Sequence, residues 1–258
     1  MRVFCINLDR SKDRWAFMQG QFDTLSAQVD RLPGLTPDSL PDWIAAEFNG
    51  PHRLTQGEIG CYASHLKACQ TIVGEGLPHA VVLEDDVALS EGFFDICKSA
   101  AARAPAAWDY IHLSTNYKVS VIGVSALPDR HNLVRYCRDP VNTAAYIISN
   151  AGARKWLRPQ QRVRPNDVDL RYSWQYGLHV YGVYPAIAEQ KDSFQSAIDA
   201  EQKRTSRNWV PSVSAGLRSH LWAISQLGIG TYLRARVSTA WNSLRRKIDG
   251  KRRIAVLG

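Results

Sequence analysis

One stretch constrains this chain more than any other: residues 79–87, HAVVLEDDV. A short buried-type strand runs straight into three consecutive carboxylates, Glu84, Asp85 and Asp86. Three adjacent acids repel one another and lose hydration at a strand end unless a cation neutralises them. Mg²⁺ and Mn²⁺ suit such oxygens, above all beside the phosphates of a bound nucleotide. In an extended segment residues i and i+2 point the same way. Glu84 and Asp86 are therefore the expected metal ligands, with Asp85 facing oppositely. The plainer alternative is an acidic loop that water solvates.

The rest of the chain places that strand in an α/β fold. Residues 3–8 form a first strand that stops at Asp9-Arg10, and Ser11 can cap a helix running to about residue 27. Residues 32–41 hold three prolines and a glycine and read as a loop. Helices are expected at 57–73, 92–104 and 151–157, the last capped by Asn150, and strands at 110–113, 142–149 and 179–184. Residues 164–167 look like a loop entering a helical turn. Alternation of strands and helices favours a largely parallel sheet, and ligands of such sheets sit beyond the carboxyl ends of the strands. Asp9-Arg10 and Glu84-Asp85-Asp86 fall at those ends.

Charge divides the chain unevenly. Residues 203–258 contain twelve Lys/Arg against one acid, a net +11, whereas residues 1–202 carry −3. Leu233, Val237, Trp241, Leu244 and Ile248 recur at helical spacing there, with arginines on the flanks. A basic amphipathic helix of this kind suits an anionic membrane surface, although packing on the body with a solvated basic face is the competing reading. We therefore expect a body at 1–205 and a basic helical tail at 206–258. Five cysteines, none in a C-x-x-C, indicate neither a disulfide framework nor a thiolate zinc site. The short apolar start does not resemble a signal peptide, and no run approaches the roughly eighteen apolar residues of a membrane span. The expected location is cytoplasmic.

Residues 57–65, GEIGCYASH, are harder to assign to packing. Two glycines at a helix start allow close backbone approach to a ligand, and free N–H groups there favour phosphate. Glu58, Ser64 and His65 add polar groups, though Glu58 also suits a first helical turn and His65 a satisfied core position.

Together these segments resemble glycosyltransferase family 25, the lipopolysaccharide-type glycosyltransferases related to collagen galactosyltransferases. Residues 6–14 are similar to the family's opening I-N-L-x-R-s-x-x-R, residues 57–65 to its G-E-I-G-C-x-x-S-H, and residues 80–87 to its a-l-v-L-E-D-D-v. Residues 143–149 resemble its later strand, 166–169 its acidic turn, and 184–196 its closing P…Q segment. Ala63 and Ala144 stand where the family commonly has Leu and Gly.

The resemblance implies a GT-A-like, Rossmann-type nucleotide-sugar domain, a UDP-sugar donor (usually UDP-galactose) and inversion at the anomeric carbon. On that reading Asn7 and Asp9 meet uridine and ribose, and Arg10 and Arg14 the diphosphate. Gly57, Glu58, Ser64, His65, Asp85, Gln190 and Asp192 belong to the substrate site, with Lys191 a further donor contact. Glu84 and Asp86 hold Mn²⁺ or Mg²⁺, and Asp167 or Asp169 is the base that inversion requires. The acceptor is a lipid-linked oligosaccharide. A Mg²⁺-dependent nucleotidyltransferase would also use clustered carboxylates. A nucleic-acid binder is disfavoured, because the basic residues are confined to the tail without a DNA-binding motif.

Overall fold

A computed structural model describes residues 1–114, 120–191, 213–249 and 256–257. In chain order its strands are β1 (Arg2–Asn7), β2 (Asp30–Pro33), β3 (His79–Glu84), β4 (Val87–Leu89), β5 (Tyr110–His112), β6 (Val121–Ala126), β7 (Asn132–Tyr136), β8 (Ala145–Ser149), β9 (Val180–Tyr184), β10 (Ala188–Gln190) and β11 (Val256–Leu257). The helices are α1 (Lys12–Thr24), α2 (Asp42–Ala45), α3 (Gln56–Gly74), α4 (Phe93–Arg103), α5 (Asn150–Trp156), α6 (Asn166–Leu170), α7 (Ser173–Tyr176), α8 (Val213–Leu227) and α9 (Ile229–Asp249). Nine strands make one sheet in the order β11-β6-β7-β9-β5-β8-β3-β1-β2, and β4 pairs with β10 apart from it. Only β7 and β8 run against the other seven strands of that sheet. The fold is α/β, as expected.

Side chains alternate across the sheet and build a core on each face. Phe4, Ala80, Val82, Tyr146 and Ile148 pack with Tyr62, Leu66 and Cys69 of α3 and Trp156 of α5. Val3, Cys5, Val81, Leu83 and Ile147 pack on the other side with Met18 and Phe22 of α1 and Phe93, Ile96 and Cys97 of α4. Both faces of β1 and β3 are thus covered, which is why HAVVL is apolar throughout.

The expected strands and helices of the body are present, with shifted ends. Residues 30–33 correct the loop reading of 32–41, since Phe4 to Asn7 pair in parallel with Asp30 to Pro33. The helix α5 is capped by Ser149, whose hydroxyl accepts the Gly152 N–H at 3.0 Å, and not by Asn150.

The tail folds as two helices separated at Gly228, whose φ of 76° suits a residue without a side chain. Ala223, Tyr232 and Ala235 pack on Ile122 and Cys137 at the sheet's far edge. Arg135 donates to the Gln226 carbonyl at 2.5 Å and Ser120 N to Thr239 at 3.1 Å. On the opposite side of α9, Leu233, Val237, Trp241 and Leu244 are exposed, Val237 by 68%. Packing on the body and an open apolar stripe thus coexist, because they use different faces of one helix. The boundary between 205 and 206 lies outside the described residues, as does the side chain of Ile248.

Candidate active site

The parallel strands β1 and β3 place their ends side by side, with Ile6 opposite Glu84. After Glu84 the chain turns, so the i, i+2 alternation expected for Glu84 and Asp86 does not extend to them. Glu84 points to α3 and β8, where its Oε1 accepts His65 Nε2 at 3.1 Å and Thr143 Oγ1 at 3.1 Å. Asp85 and Asp86 instead share one cation. Arg14 Nη1 reaches Asp85 Oδ1 at 2.6 Å and Nη2 reaches Asp86 Oδ2 at 3.1 Å. Asn7 Nδ2 donates to the other oxygen of Asp85 at 2.6 Å, and Gln190 Nε2 to Asp86 Oδ2 at 3.0 Å.

Asp86 Oδ1 is buried and has no hydrogen-bond partner among the described residues. Burial, and next the charge of Glu84, pushes the Asp86 carboxyl up to about 6. Burial also raises Glu84, but hydrogen bonds from His65 and Thr143 outweigh it and hold that carboxylate below its ordinary range. Burial raises Asp85 against the opposing pull of Arg14. A buried, unpartnered carboxylate oxygen under the charge of a second carboxylate has the chemistry that a hard divalent cation would satisfy. Cys61 Sγ, His65 and Glu84 form a neighbouring group whose ligand atoms all lie within 4.8 Å of one another.

Several expected substrate contacts are taken by the protein itself. Asn7 receives Arg31 Nε on its Oδ1 at 2.8 Å and donates to Ser11 O at 3.0 Å as well as to Asp85. Its amide therefore ties β1 to α1 and β2, and Asp85 is held between Asn7 and Arg14. Glu58 and Thr55 make a reciprocal capping box at the start of α3, at 2.7 and 3.2 Å. Ser64 donates to Gly60 O at 2.7 Å and accepts Leu35 N at 2.8 Å. Gly60 is small for the same contact, because a Cβ there would meet Leu35 O at 2.6 Å. At the start of α3, Ser64 and Gly60 are spent on docking the 34–36 segment and Glu58 on the capping box, leaving Gly57 in the first turn. His65 is buried, with Nδ1 2.9 Å from Tyr146 Oη, and acts by holding Glu84.

Asp167 and Asp169 part company. Asp169 is buried and accepts Tyr62 Oη at 2.6 Å, Arg164 Nε at 2.7 Å and the phenol of Tyr176. Arg162 lies 4.0 Å away and is itself paired with Glu47 at 2.5 Å. A carboxylate so enclosed cannot take a proton from an acceptor hydroxyl, so geometry corrects this candidate to a structural role. Asp167 is half-buried, with Oδ1 2.7 Å from Val168 N, and its charge acts on Cys61 beside Glu84.

Asp9 and Arg10 are exposed at the rim, Asp9 pairing with Arg31 at 2.6 Å. Lys191 N donates to the Asp86 carbonyl at 2.8 Å. Asp192 lies outside the described residues. Reading of the sequence missed Thr143, Asn166, Cys61 and Arg31. Asn166 Nδ2 donates to Thr143 at 3.0 Å, and Cys61 Sγ stands 3.8 Å from Asn166 Oδ1. Cys61 is four residues before His65, the helical spacing that could have flagged the pair.

Residues 1–170 match the family described as glycosyltransferase family 25 (LPS biosynthesis protein). An inactive glycosyltransferase 25 family member 3 from Mus musculus is 29% identical over 80% of this chain and 40% of its own length. A probable inactive member from Bos taurus is 35% identical over 72% of this chain and 36% of its own. Procollagen galactosyltransferase 1 from Danio rerio is 28% identical over 74% and 34%. The chain thus spans well under half the length of these relatives. A solved glycosyltransferase involved in glycosylating the major capsid of PBCV-1 aligns over 78% of this chain and 97% of its own, at 10% identity and a TM-score of 0.37. With the motif segments on β1, α3 and β3 converging on one acidic rim inside the matched region, the chain belongs to glycosyltransferase family 25.

Proposed function

We propose that this protein is a metal-dependent, inverting glycosyltransferase that moves a hexose, galactose from UDP-galactose, to a lipid-linked oligosaccharide of the lipopolysaccharide type. The observation that carries the reading is the buried, unpartnered Asp86 oxygen under the charge of Glu84 at the carboxyl ends of parallel strands, within the family-matched segment. Asp86 and Glu84 would hold Mn²⁺ or Mg²⁺, which supplies charge neutralisation for a departing diphosphate. Arg14 and Gln190 fix the Asp86 carboxylate, and His65 with Thr143 fixes Glu84. Asp167 is the proton acceptor for the attacking hydroxyl, being the acid of its pair that the core does not enclose. Arg10, at the rim, is the donor-side cation. Galactose is supported by similarity to procollagen galactosyltransferases of zebrafish and human. The exposed apolar stripe of α9 together with the +11 tail supports attachment to an anionic membrane, and the location proposed with it is the inner face of the cytoplasmic membrane.

Similarity to the inactive mouse and probable inactive cow family members favours a second reading, a family member that binds without transferring. Incubation with a panel of UDP-sugars and Mn²⁺, following UDP release, decides between them. Release specific to one UDP-hexose and abolished by EDTA is expected. Binding of UDP–Mn²⁺ with no release from any sugar would favour the second reading.

A further inference from the structure

A second charged site lies one helical turn past Asp167, at the end of α6. A cleft of about 240 Å³ opens between the body and the helices α8 and α9, lined by Arg138, Arg171, Tyr172, Gly216, His220 and Arg236. Arg138 follows β7, Arg171 caps the end of α6, and Arg236 comes from α9, so three separate elements bring guanidinium groups to one space. None of the three has a salt-bridge partner among the described residues. Arg171 Nε is buried without a hydrogen-bond partner there. Burial, and next the like charge of Arg138, depresses the Arg171 guanidinium below its ordinary value. A cation is held here against its own solvation and against a neighbour of the same sign. Asp167 and, more weakly, Asp139 are the carboxylates whose charge acts on Arg171, and Asp139 accepts the Ser173 hydroxyl.

We propose that this cleft binds a phosphate group, the phosphoester of the lipid-linked acceptor. Guanidinium forks match phosphate oxygens in paired hydrogen bonds, and an anion removes the mutual repulsion that the empty arrangement stores. His220 adds a donor: its Nδ1 faces Tyr232 Oη at 2.5 Å, and a phenol donating there leaves Nε2–H free for the cleft. Position supports the assignment. Arg171 follows Asp167 by four residues, about 6 Å along a helix axis at ~1.5 Å per residue. The helix α8, which supplies Gly216 and His220, also exposes Leu217 and Leu221. Acid, phosphate site and apolar surface thus follow one another in the order of a sugar, its phosphate and its lipid. As an acceptor site this rests on the transferase reading; phosphate binding as such does not.

The test is calorimetric titration of the full chain with inorganic pyrophosphate in metal-free buffer, where the acidic site repels the probe. Saturable binding is expected, weakened at least tenfold by Arg171→Gln and by Arg236→Gln, and partly kept by Arg171→Lys. Gly216→Glu is a second route, because a Cβ at Gly216 meets nothing within 4 Å and its carboxylate would enter the cleft. UDP–Mn²⁺ affinity should stay unchanged in all four variants, and thermal stability should hold or rise in Arg171→Gln. Sedimentation with phosphatidic acid vesicles, set against phosphatidylcholine, separates the sources. Loss in the same variants assigns the phosphate to a lipid headgroup, and loss of pyrophosphate binding alone assigns it to a soluble phosphoester. No saturable pyrophosphate binding, or equal binding by wild type and both glutamine variants, overturns the proposal. Absence of UDP release with pyrophosphate binding intact would instead overturn only the transferase reading.

Discussion

Asp167 and Asp169 stand two residues apart in one short helix, yet their side chains belong to different parts of the molecule. Asp169 is buried among Tyr62, Tyr176 and Arg164, whereas Asp167 acts toward the acidic rim. Two residues along a helix is about 200° of rotation, so the pair cannot share a face.

That separation predicts opposite phenotypes. Asp169→Asn leaves Arg162 and Arg164 short of a buried counter-charge and should cost about 3–5 kcal/mol of stability. Asp167→Asn should leave the melting temperature nearly unchanged and slow turnover by on the order of 10²–10⁴ with UDP affinity retained. Thermal melts and single-turnover assays on the two variants check this. Normal turnover in Asp167→Asn would remove it as the base.

Asp86 should trade stability for ligand binding. Its carboxyl is pushed up to about 6 by burial and by Glu84, so an amide there relieves a penalty in the metal-free protein. Asp86→Asn should therefore melt higher than wild type without metal. It should also lose the gain that UDP–Mn²⁺ gives wild type, about 2.7 kcal/mol at a hundredfold excess over the dissociation constant. A variant that still gains stability from UDP–Mn²⁺ would discount Asp86 as a ligand.

Asp139 gives the metal-free protein a pH dependence of definite sign. Burial raises its pKa from 3.8 to about 6. Between those values the unfolded chain has released a proton that the folded chain still holds. Stability therefore falls as pH rises from about 4 to 6 and stays lower above it, by at most about 3 kcal/mol at 1.36 kcal/mol per unit. Asp86 contributes in the same direction, so the readout is the difference between wild type and Asp139→Asn. Urea unfolding at pH 4 and pH 7 should show a smaller loss in the variant, and an equal loss in both would refute the assignment.

The exposed face of α9 predicts membrane attachment that can be removed without unfolding. Val237→Asp with Trp241→Ser changes side chains that are 68% and 54% exposed, while Tyr232, Ala235 and Ala223 keep their packing. Co-sedimentation with anionic vesicles should fall several-fold and weaken with salt, with melting temperature unchanged. Truncation is the poorer experiment, because it also removes Gln226 and Thr239 from Arg135 and Ser120. Equal sedimentation of wild type and the double variant would show that the stripe does not meet lipid.

Local pattern was enough to determine several things about this protein. Apolar runs ending in acids marked β1 and β3 and their polar rim, because both faces of a central strand are covered and its end is not. The spacing of Leu233, Val237, Trp241 and Leu244 gave the stripe on α9 directly. What tertiary structure decided is the allegiance of each polar side chain. Asn7, Asp85, Glu58 and Ser64 look free in the sequence but are spent on Arg31, Arg14, Thr55 and Leu35, partners up to 71 residues away. The arginine cleft is likewise assembled from residues 138, 171 and 236, which no window of sequence joins. Hydrophobic periodicity is a property of neighbours along the chain. A hydrogen bond or ion pair depends on a distance of a few ångströms in space, and only the packed sheet and its helices set that distance.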